Sequence, residues 1–380
     1  MPAYLDNAAT TPMRPEAVEA MLPFLRDSFG NPSGSHAVSR EAKKALEEAR
    51  DVAAECLGAE PDEIVFTGSG TEADNLAVIG AHEAWPAWPE RRGKPGKVIC
   101  SAVEHHAVLH ATHVVGGTEA PVRPDGRVDL DTLAEMLDEG VAVVAVMLAN
   151  NEVGTIQPLA EVAEVVRERA PGAAVVTDAV QAFPWLDVAR LAVPADLVAV
   201  SAHKFGGPKG VGALVVRRGV SVRPIIHGGG QERDRRSGTY NVAGIVAMAA
   251  AMRSTVGTRD ETVARIGRLR DRLADGLLAA VDGAAETGDR ATKVAGNCHL
   301  TCDGVEAEAL LVLLDAAGVY ASAGSACTSG AVEPSHVLAA MGVPRSRGLG
   351  ALRLSLGPTT TDADVDLALS VIPDAVARLR

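Results

Sequence analysis

Short apolar runs alternate with amphipathic stretches between about Glu63 and Arg217. This alternation is typical of successive strand–helix units and predicts a largely parallel sheet. The predicted strands are residues 64–66, 98–100, 141–148, 174–176, 197–200 and 213–216. The helical patterns between them are residues 72–85, 130–137 and 159–166. The first two thirds of the chain are therefore predicted to form a doubly wound α/β domain.

A second region follows with its own pattern. Residues 242–255 predict a helix, and a more charged helix is predicted over 260–278, with a boundary near 253–258. Beyond it come a short strand in the sequence NCHLTCDG, a helix around 306–316, and a Gly-, Ser- and Ala-rich stretch at 321–331 whose composition favours a mobile loop. We predict a large cofactor-binding domain at 15–255 and a small α/β domain made of 1–14 and 256–380.

Composition narrows the class of protein. With 380 residues and 47% hydrophobic content, the chain is long enough for two domains. No apolar run approaches the roughly 18 residues of a membrane-spanning helix, and the start MPAYLDNAATTP lacks a basic segment before an apolar one, so we expect a cytoplasmic protein. A net charge of −13 opposes direct binding to nucleic acid. Five widely scattered cysteines do not suggest a disulfide framework.

Polar residues follow the ends of five successive predicted strands. Ligands of open α/β sheets bind outside the carboxyl ends of the strands, so these residues are expected to converge on one edge. They are Gly68–Thr71, Glu104–His106, Asn150–Glu152, Asp178 with Gln181, and Ser201–Lys204. Singly, each has an ordinary structural explanation, such as a capped turn or a hydrogen-bonded core residue. Their convergence predicts a functional site.

Pyridoxal phosphate needs a lysine for its Schiff base and a carboxylate for its ring nitrogen. Lys204 and Asp178 suit these roles, His105 can stack on the ring, and Gln181 can bond its phenolic oxygen. The N-terminus of the helix that starts near residue 70 can hold a phosphate. The residues predicted to bind that phosphate are Gly70, Thr71, Ser201 and His203. Lys209 is the alternative for the Schiff base, but it lies in a Pro/Gly turn aimed away from the strand end, so we predict Lys204.

These residues belong to a series of ordered motifs. The motifs are YLDNAATTP, FGNPSGSH, TGSGTEADN, EHHAV, NNEVG, TDAVQ, SAHKFGGPKG, GGGQERDRRSGT, SAGSACTSG and LRLSLG. Through them the chain resembles, over nearly its whole length, the cysteine desulfurases of the NifS/IscS type in the class V aminotransferase group. The resemblance implies a fold-type I pyridoxal-phosphate enzyme, with a large doubly wound domain and a smaller C-terminal α/β domain.

The resemblance also implies roles for residues that the strand pattern does not single out. Cys327 occupies the position of the family's nucleophile, in the longer form of its loop. Arg353 looks like the clamp on the substrate carboxylate, a task suited to bidentate guanidinium geometry. Asn151 would assist beside cofactor and substrate. Thr239 would reach the phosphate of a neighbouring subunit, which implies a homodimer with composite sites.

The implied reaction converts L-cysteine to L-alanine. Lys204 would remove the Cα proton, His105 would shuttle a proton, and Cys327 would take the sulfur as a persulfide for a sulfur-acceptor protein. The chain stops soon after its last predicted helix, without the scaffold-docking tail of many iron–sulfur members, which argues against an iron–sulfur scaffold as partner. The pathways left open for the acceptor are iron–sulfur assembly, tRNA thiolation and DNA phosphorothioation, and the chain resembles the desulfurases of the last system too. Alternatives are another enzyme of this fold, such as a selenocysteine lyase or aminotransferase, and a non-catalytic partner protein that binds the cofactor.

The remaining cysteines are predicted to lie in the interior. Cys298 and Cys302 alternate with Leu300 on one face of a predicted strand, as core residues do. His299 would face the other way, which argues against a metal site formed with the two cysteines. Cys56 falls in an amphipathic helix and Cys100 in a buried strand. We predict no metal ion.

Overall fold

The computed structural model describes residues 2–85, 96–323 and 335–380. Cys327, most of the predicted loop at 321–331 and most of the segment AWPAWPERRGKPGK lie outside the described residues. The strands are β1 (Ala3–Tyr4), β2 (Ile64–Thr67), β3 (Lys97–Ser101), β4 (Thr118–Ala120), β5 (Val141–Ala145), β6 (Ala174–Asp178), β7 (Leu197–Ser201), β8 (Gly212–Val216), β9 (Ala284–Glu286), β10 (Asn297–Cys302), β11 (Val319–Tyr320) and β12 (Ala351–Ser355).

The helices lie between these strands and after them. They are α1 (Pro15–Arg26), α2 (Ala37–Leu57), α3 (Gly70–Ala84), α4 (His106–Val114), α5 (Leu130–Met136), α6 (Leu159–Arg169), α7 (Val188–Leu191), α8 (Val242–Ala280), α9 (Ala307–Ala316), α10 (His336–Ala340), α11 (Arg345–Gly348) and α12 (Asp362–Leu379). None of the described helices is both long and apolar enough to cross a membrane.

The main sheet has seven strands in the order β2-β8-β7-β6-β5-β3-β4. Strand β8 runs antiparallel to β2 and β7, and the other pairs are parallel. The prediction of a doubly wound, mainly parallel α/β fold is therefore confirmed. Strand β5 is buried along its whole length, as expected for a strand covered on both faces. The predicted strand at 141–148 ends at Ala145, although Val146 and Leu148 still donate hydrogen bonds to carbonyls of β6.

Helix caps place side chains at the carboxyl ends of these strands. After β2, the Ser69 hydroxyl accepts a hydrogen bond from the Glu72 amide and begins α3. After β3, the His105 ring accepts one from the Ala107 amide and begins α4. The chain must turn sharply at both points, and each cap fixes the direction in which the helix leaves the sheet. The predicted site edge is built at these turns.

A three-stranded antiparallel sheet, β12-β10-β9, and the parallel pair β1-β11 form separate sheets. The two helices predicted over 242–255 and 260–278 are one continuous helix, α8, so that division into two helices is wrong. Met248 and Met252 of α8 pack in the core of the large sheet, whereas Ile266 and Leu273 pack in the core around β10 and β12. The apolar pattern changes there because the two ends of α8 pack in different hydrophobic cores. The helix itself contains no proline and is not interrupted. We propose that the division into two domains falls inside this continuous helix.

The sequence GGGQERDRRSGT contains a strained turn. Glu232, Arg233 and Asp234 all have positive φ, between 49° and 64°, which costs about 1–2 kcal/mol per residue for non-glycine residues. Two buried side chains hold the turn, since the Arg50 guanidinium donates to both Glu232 carboxylate oxygens at 2.9 and 3.0 Å. Arg50 also donates to the carbonyl of Ile64 in β2 at 2.8 Å. The ion pair thus ties the turn to the edge of the main sheet.

Replacing Arg50 by methionine is expected to destabilise the fold by about 3–5 kcal/mol, because the Glu232 carboxylate would stay buried without its partner. The measurement is the midpoint of urea unfolding followed by circular dichroism. Arg218→Met, which breaks an exposed pair with Asp62, is the matched control and should leave the midpoint unchanged. An equal shift in the two variants would contradict this account of the turn.

Candidate active site

A cavity of about 380 Å³ opens at the carboxyl ends of the parallel strands. Most of the predicted site residues line it. They are Gly70, Thr71, His105, Asn151, Asp178, Gln181, Ser201, His203, Lys204 and Arg353. Thr239 is exposed and does not line this cavity, and Cys327 lies outside the described residues. The fold thus brings most of the predicted set together from different strand ends.

Lys204 lies in a short 3₁₀ turn, Ala202–Lys204, directly after β7. Its Nζ donates hydrogen bonds to the carbonyls of Ala8 and Ala9 at 2.6 and 3.0 Å. Burial, together with the charge of Arg353, lowers the pKa of this amine to about 8, although Asp178 and Asp6 act in the opposite direction. A substantial fraction of Lys204 is therefore neutral near physiological pH, as a nucleophilic amine or a general base requires.

Asp178 is the last residue of β6 and is buried. One of its oxygens accepts a hydrogen bond from the Val180 amide at 2.8 Å. Burial raises the pKa of this carboxyl to about 6, against the opposing effects of the Val180 amide and Lys204. A cationic ring nitrogen placed beside it would favour its charged form, because opposite charges stabilise each other strongly away from water. Asp178 therefore suits the partner of a protonated pyridine.

Asp74 is a site residue that the sequence did not single out. It lies one turn after Gly70 on α3, is 1% exposed, and has an oxygen within 4.8 Å of ligand atoms of both Asp178 and His105. Burial, followed by the charges of Asp178 and Glu104, raises its pKa well above the usual value. Two buried carboxyls this close disfavour each other's ionisation, so the environment favours the protonated form of Asp74. Helical spacing puts Asp74 on the same face as Gly70, but it does not show that this face meets Asp178.

His105 is held with its ring neutral. Burial, with Lys204 and the neighbouring histidines adding to it, lowers the pKa of this imidazole to about 4. The His106 and His336 rings also line the cavity, and the distance between their two centroids is 4.7 Å. His336 bonds the carbonyl of Glu104 at 2.9 Å. A neutral ring can stack on a cofactor, and it can accept or donate a proton.

Arg353 lies on β12 and is buried, yet its guanidinium is not fully used. Nη1 donates to the carbonyl of Asn151 at 3.0 Å and Nη2 to an Asp6 carboxylate oxygen at 2.9 Å. Within the described ranges, Arg353 Nε and the Asn151 side-chain oxygen have no hydrogen-bond partner. A buried guanidinium in a cavity wall that still has an N–H group without an acceptor suits a substrate carboxylate. Glu152, which follows a predicted strand, lines the same cavity, whereas the strand pattern did not reveal Asp6.

The predicted phosphate cradle lies where α3 begins against the end of β7. A Cβ on Gly70 would lie 3.0 Å from both Ser201 Cβ and Val180 Cγ2, so glycine allows this close approach. The first amides of a helix have no partner within the helix and can donate to an anion. Glu72 binds the Gly68 amide at 2.8 Å and receives Arg236, which steadies the turn.

Two other residues predicted to bind the cofactor already have partners on the N-terminal segment. The Gln181 amide donates to the carbonyl of Ala8 at 2.7 Å, and the His203 ring contacts the Thr10 hydroxyl at 3.2 Å. Burial lowers the pKa of His203 to about 4, and Lys204 and Lys209 add to the effect. These groups fit pyridoxal phosphate: the start of α3 suits its phosphate, Asp178 its ring nitrogen, Lys204 its aldehyde carbon and the neutral His105 ring its flat face.

The interior cysteines are poor nucleophiles. Burial raises the thiol pKa of Cys56 to about 11 and those of Cys100 and Cys298 to about 12, and that of Cys302 is also raised. Cys298 and Cys302 pack in the core with Leu300, while His299 pairs across the sheet with Arg353. In the part of the chain that the structure describes, the metal-compatible group is Asp74, His105 and Asp178, inside the cofactor cavity.

Comparisons with known proteins identify the family to which the chain belongs. The family model "Aminotransferase class-V" matches residues 3–368. An IscS-like cysteine desulfurase of Mycobacterium tuberculosis is 48% identical over 389 residues, which cover all of this chain and 97% of the relative. A solved NifS-like protein superposes with a TM-score of 0.92 at 35% identity, covering both chains fully. DndA of Streptomyces lividans superposes with a TM-score of 0.77 at 36% identity, covering 93% of this chain and 99% of its own.

Proposed function

We infer, on the premise that the chain belongs to the class-V aminotransferase family, that it is a pyridoxal-phosphate-dependent cysteine desulfurase. It converts L-cysteine to L-alanine and passes the sulfur to an acceptor. The observation that supports this most directly is one cavity holding Lys204 with its lowered pKa, the buried carboxyl of Asp178 and the partly free guanidinium of Arg353.

The residues proposed to hold the cofactor have distinct tasks. Lys204 anchors it and Asp178 receives its ring nitrogen, while His105 lies against the ring and Gln181 bonds the phenolic oxygen. The phosphate is held by Gly70, Thr71, Ser201, His203 and the neighbouring subunit's counterpart of Thr239. When bound, pyridoxal phosphate supplies an electron sink for the pair of electrons left by the Cα proton. Asn151 completes the wall beside cofactor and substrate.

The chain's own residues are proposed to handle the substrate in sequence. Arg353 binds the carboxylate of L-cysteine and so orients its Cα hydrogen. The neutral Nζ of Lys204 removes that proton, and the neutral His105 ring moves a proton near the substrate sulfur. The Cys327 thiolate then forms a bond to that sulfur while the bond from sulfur to carbon breaks. The departing electron pair stays on carbon, which is protonated to give alanine, and Cys327 carries a persulfide.

The direct test is to incubate the holoenzyme with L-cysteine and a thiol reductant and to count the products. Alanine and sulfide should form in equal amounts and over many turnovers. A selenocysteine lyase would act on selenocysteine and leave cysteine unchanged, and an aminotransferase would release a keto acid only when an acceptor keto acid is present. A non-catalytic cofactor-binding protein would give no turnover. Any of these three results would overturn the desulfurase assignment.

The lowered pKa of Lys204 gives a pH dependence with a defined sign. The amine acts as a base when neutral, and the neutral form predominates above about pH 8. The measurement is the rate of deuterium exchange at the Cα of L-alanine in the Cys327→Ser holoenzyme. We expect this rate to rise about tenfold per pH unit below pH 8 and then to level off. Removing the Cys327 thiol keeps its own titration out of the profile. Lys209→Ala in the same background should not change it, and a rate independent of pH between 6 and 9 would contradict the role.

A homodimer with composite sites is also proposed. The outer face of α1 and the turn after it expose Leu25 at 61% and Phe29 at 81%, with Val18 and Leu22 partly exposed at helical spacing beside them. Adjoining apolar side chains on a surface mark contact sites between proteins. Thr239 is exposed outside its own subunit's cavity, where a second subunit could receive it.

Mixing two defective subunits tests this arrangement. Lys204→Ala and Thr239→Ala each damage every site in their own homodimers. In a mixed dimer, one of the two sites combines an intact Lys204 with an intact Thr239. After unfolding and co-refolding in equal amounts, about a quarter of the wild-type activity is expected, because half of the dimers are mixed and each has one intact site. Activity no higher than the average of the two separate variants would contradict the composite site.

The sulfur acceptor is proposed to be a protein. The net charge of −13 disfavours direct delivery to nucleic acid, which would need a positively charged surface. Iron–sulfur assembly, tRNA thiolation and DNA phosphorothioation are the three pathways to compare. Holoenzyme loaded with ³⁵S from labelled cysteine should transfer label to a protein from the source cell. Transfer to RNA or DNA in the absence of any other protein would overturn the proposal of a protein acceptor.

A further inference from the structure

A second cavity, of about 220 Å³, lies behind Lys204. Its walls come from both parts of the molecule. The segment after β1, the start of α1 and the middle of α8 contribute on one side, and the ends of β10 and β12 with the segments beside them contribute on the other. Much of the wall is apolar and includes Met13, Trp185, Val294 and Leu356. The cavity shares Ala8, Gln181 and Lys204 with the cofactor cavity but is otherwise built from different residues.

The charges around this second cavity are unbalanced. Apart from Lys204, which is proposed to anchor the cofactor, its charged lining residues are two cations, Arg14 and Arg259, and one carboxylate, Glu16. This positive excess occurs in a chain whose net charge is −13. Arg14 donates its hydrogen bonds to neutral groups, the carbonyl of Phe205 at 3.2 Å and the hydroxyl of Ser254 at 3.1 Å. The local field therefore favours an anion.

Arg259 provides the second, independent observation. It is 9% exposed, and in the described part of the chain neither its Nε nor its Nη2 has a hydrogen-bond partner. Its nearest carboxylate, on the half-exposed Asp187, lies 4.0 Å from Nη1, at the outer limit of an ion pair. Buried charges in proteins are normally paired, because an unpaired one loses its hydration without compensation. The Arg259 guanidinium also lies over the Phe183 ring, 5.7 Å from its centroid, but that contact leaves Nε and Nη2 free to donate to an anion.

We propose that this second cavity is a binding site for a small carboxylate with a short aliphatic body, with Arg259 as the partner of the carboxylate. The aliphatic part would lie against Trp185 and its apolar neighbours, where burial of hydrocarbon is favourable. Sulfate or phosphate suits the cavity less well, because apolar walls would leave several of its oxygens unbonded. The proposal does not depend on the reaction assigned above, since no step of it uses the cofactor or the substrate.

The test is calorimetric titration of the holoenzyme with 4-methylpentanoate. Arg353 could also bind a carboxylate, so the titration is carried out in the Arg353→Gln holoenzyme, where the substrate clamp is removed. We expect one site per chain, and binding at least about tenfold weaker for the uncharged 4-methylpentanamide or after the further change Arg259→Gln. Arg268→Gln, at an exposed position on the same helix, is the matched control and should not change the affinity.

A conservative variant and a second method of detection complete the test. Arg259→Lys retains the charge and should keep part of the affinity, which separates loss of the ion pair from damage to α8. In the Arg353→Gln holoenzyme, 4-methylpentanoate should change tryptophan fluorescence, and that change should disappear when Trp185→Phe is added. Absence of carboxylate binding, equal binding of acid and amide, an Arg259→Gln affinity equal to that of the control, or a fluorescence change that persists without Trp185 would each overturn the proposal.

Discussion

Replacing Lys204 by alanine is expected to lower the rate of alanine formation by about 10⁴-fold, the upper end of what a general base contributes. The side chain is proposed both to anchor the cofactor and to remove the Cα proton, and the cavity offers no second amine for either task among its described lining residues. Burial has already lowered its pKa to about 8, so the wild-type amine is available in neutral form. The measurement is the initial rate of alanine production from L-cysteine.

The rival lysine supplies the control for that experiment. Lys209 is exposed and does not line the cavity, so Lys209→Ala should retain nearly full activity and the cofactor's absorbance. A small primary amine such as ethylamine should restore part of the activity of Lys204→Ala, because it can enter the vacated space and act as the base. If Lys209→Ala were the inactive variant, the anchor would have been assigned to the wrong lysine.

Replacing Cys327 by serine is expected to abolish persulfide formation and to reduce sulfide release from L-cysteine to the level of the enzyme-free control. The reason is chemical, since a serine hydroxyl cannot take up the substrate sulfur as a thiolate does. The variant should still bind the cofactor and retain its absorbance, because the residues proposed to hold it are unchanged. Intact-mass spectrometry after a single exposure to cysteine should show the gain of one sulfur atom in the wild type alone.

The other cysteines provide matched controls. Burial raises the pKa of the Cys56 thiol to about 11, so it is almost entirely protonated at neutral pH, and Cys56→Ser should still form the persulfide. The same holds for Cys100, whose pKa is raised to about 12. Normal sulfide release by Cys327→Ser would show that sulfur leaves without this residue, and the proposed transfer would have to be abandoned.

The site was predictable from sequence where its residues follow strands. Asp178 and Lys204 come directly after apolar runs, and parallel strands must present their carboxyl ends at one edge, so their meeting follows from the fold class. The same logic placed His105. Thr239 and Cys327 could be assigned only through resemblance to a family, because neither follows a strand of the sheet.

Other features depended on packing that no local pattern reveals. Asp74 lies on a helix that reads as an ordinary amphipathic segment, and its importance comes from its closeness to Asp178 across the cavity. Arg259 reads as one of many charged residues on α8, and its unpaired nitrogens become apparent only when the buried contacts are known. The continuity of α8 was missed because a change of apolar face resembles a helix end when the second core is not visible.

Because α8 is continuous, its number of residues sets the rotation of the second core relative to the large sheet. Each residue of an α-helix advances the chain by about 1.5 Å and turns it by about 100°. One residue added between Met252 and Ile266 would therefore rotate everything fixed to the far end by more than a quarter turn relative to the large sheet. The neighbours of Arg353 on β12, Leu352 and Leu354, pack with that end of α8, whereas Thr255, nearer the other end, bonds the residue after Lys204. The distance between the proposed substrate clamp and the proposed base therefore depends on the number of residues in this helix. Surface loops can gain residues during evolution without this effect. In this part of α8, by contrast, insertions and deletions keep the rotation between the two cores only when they add or remove close to whole helical turns.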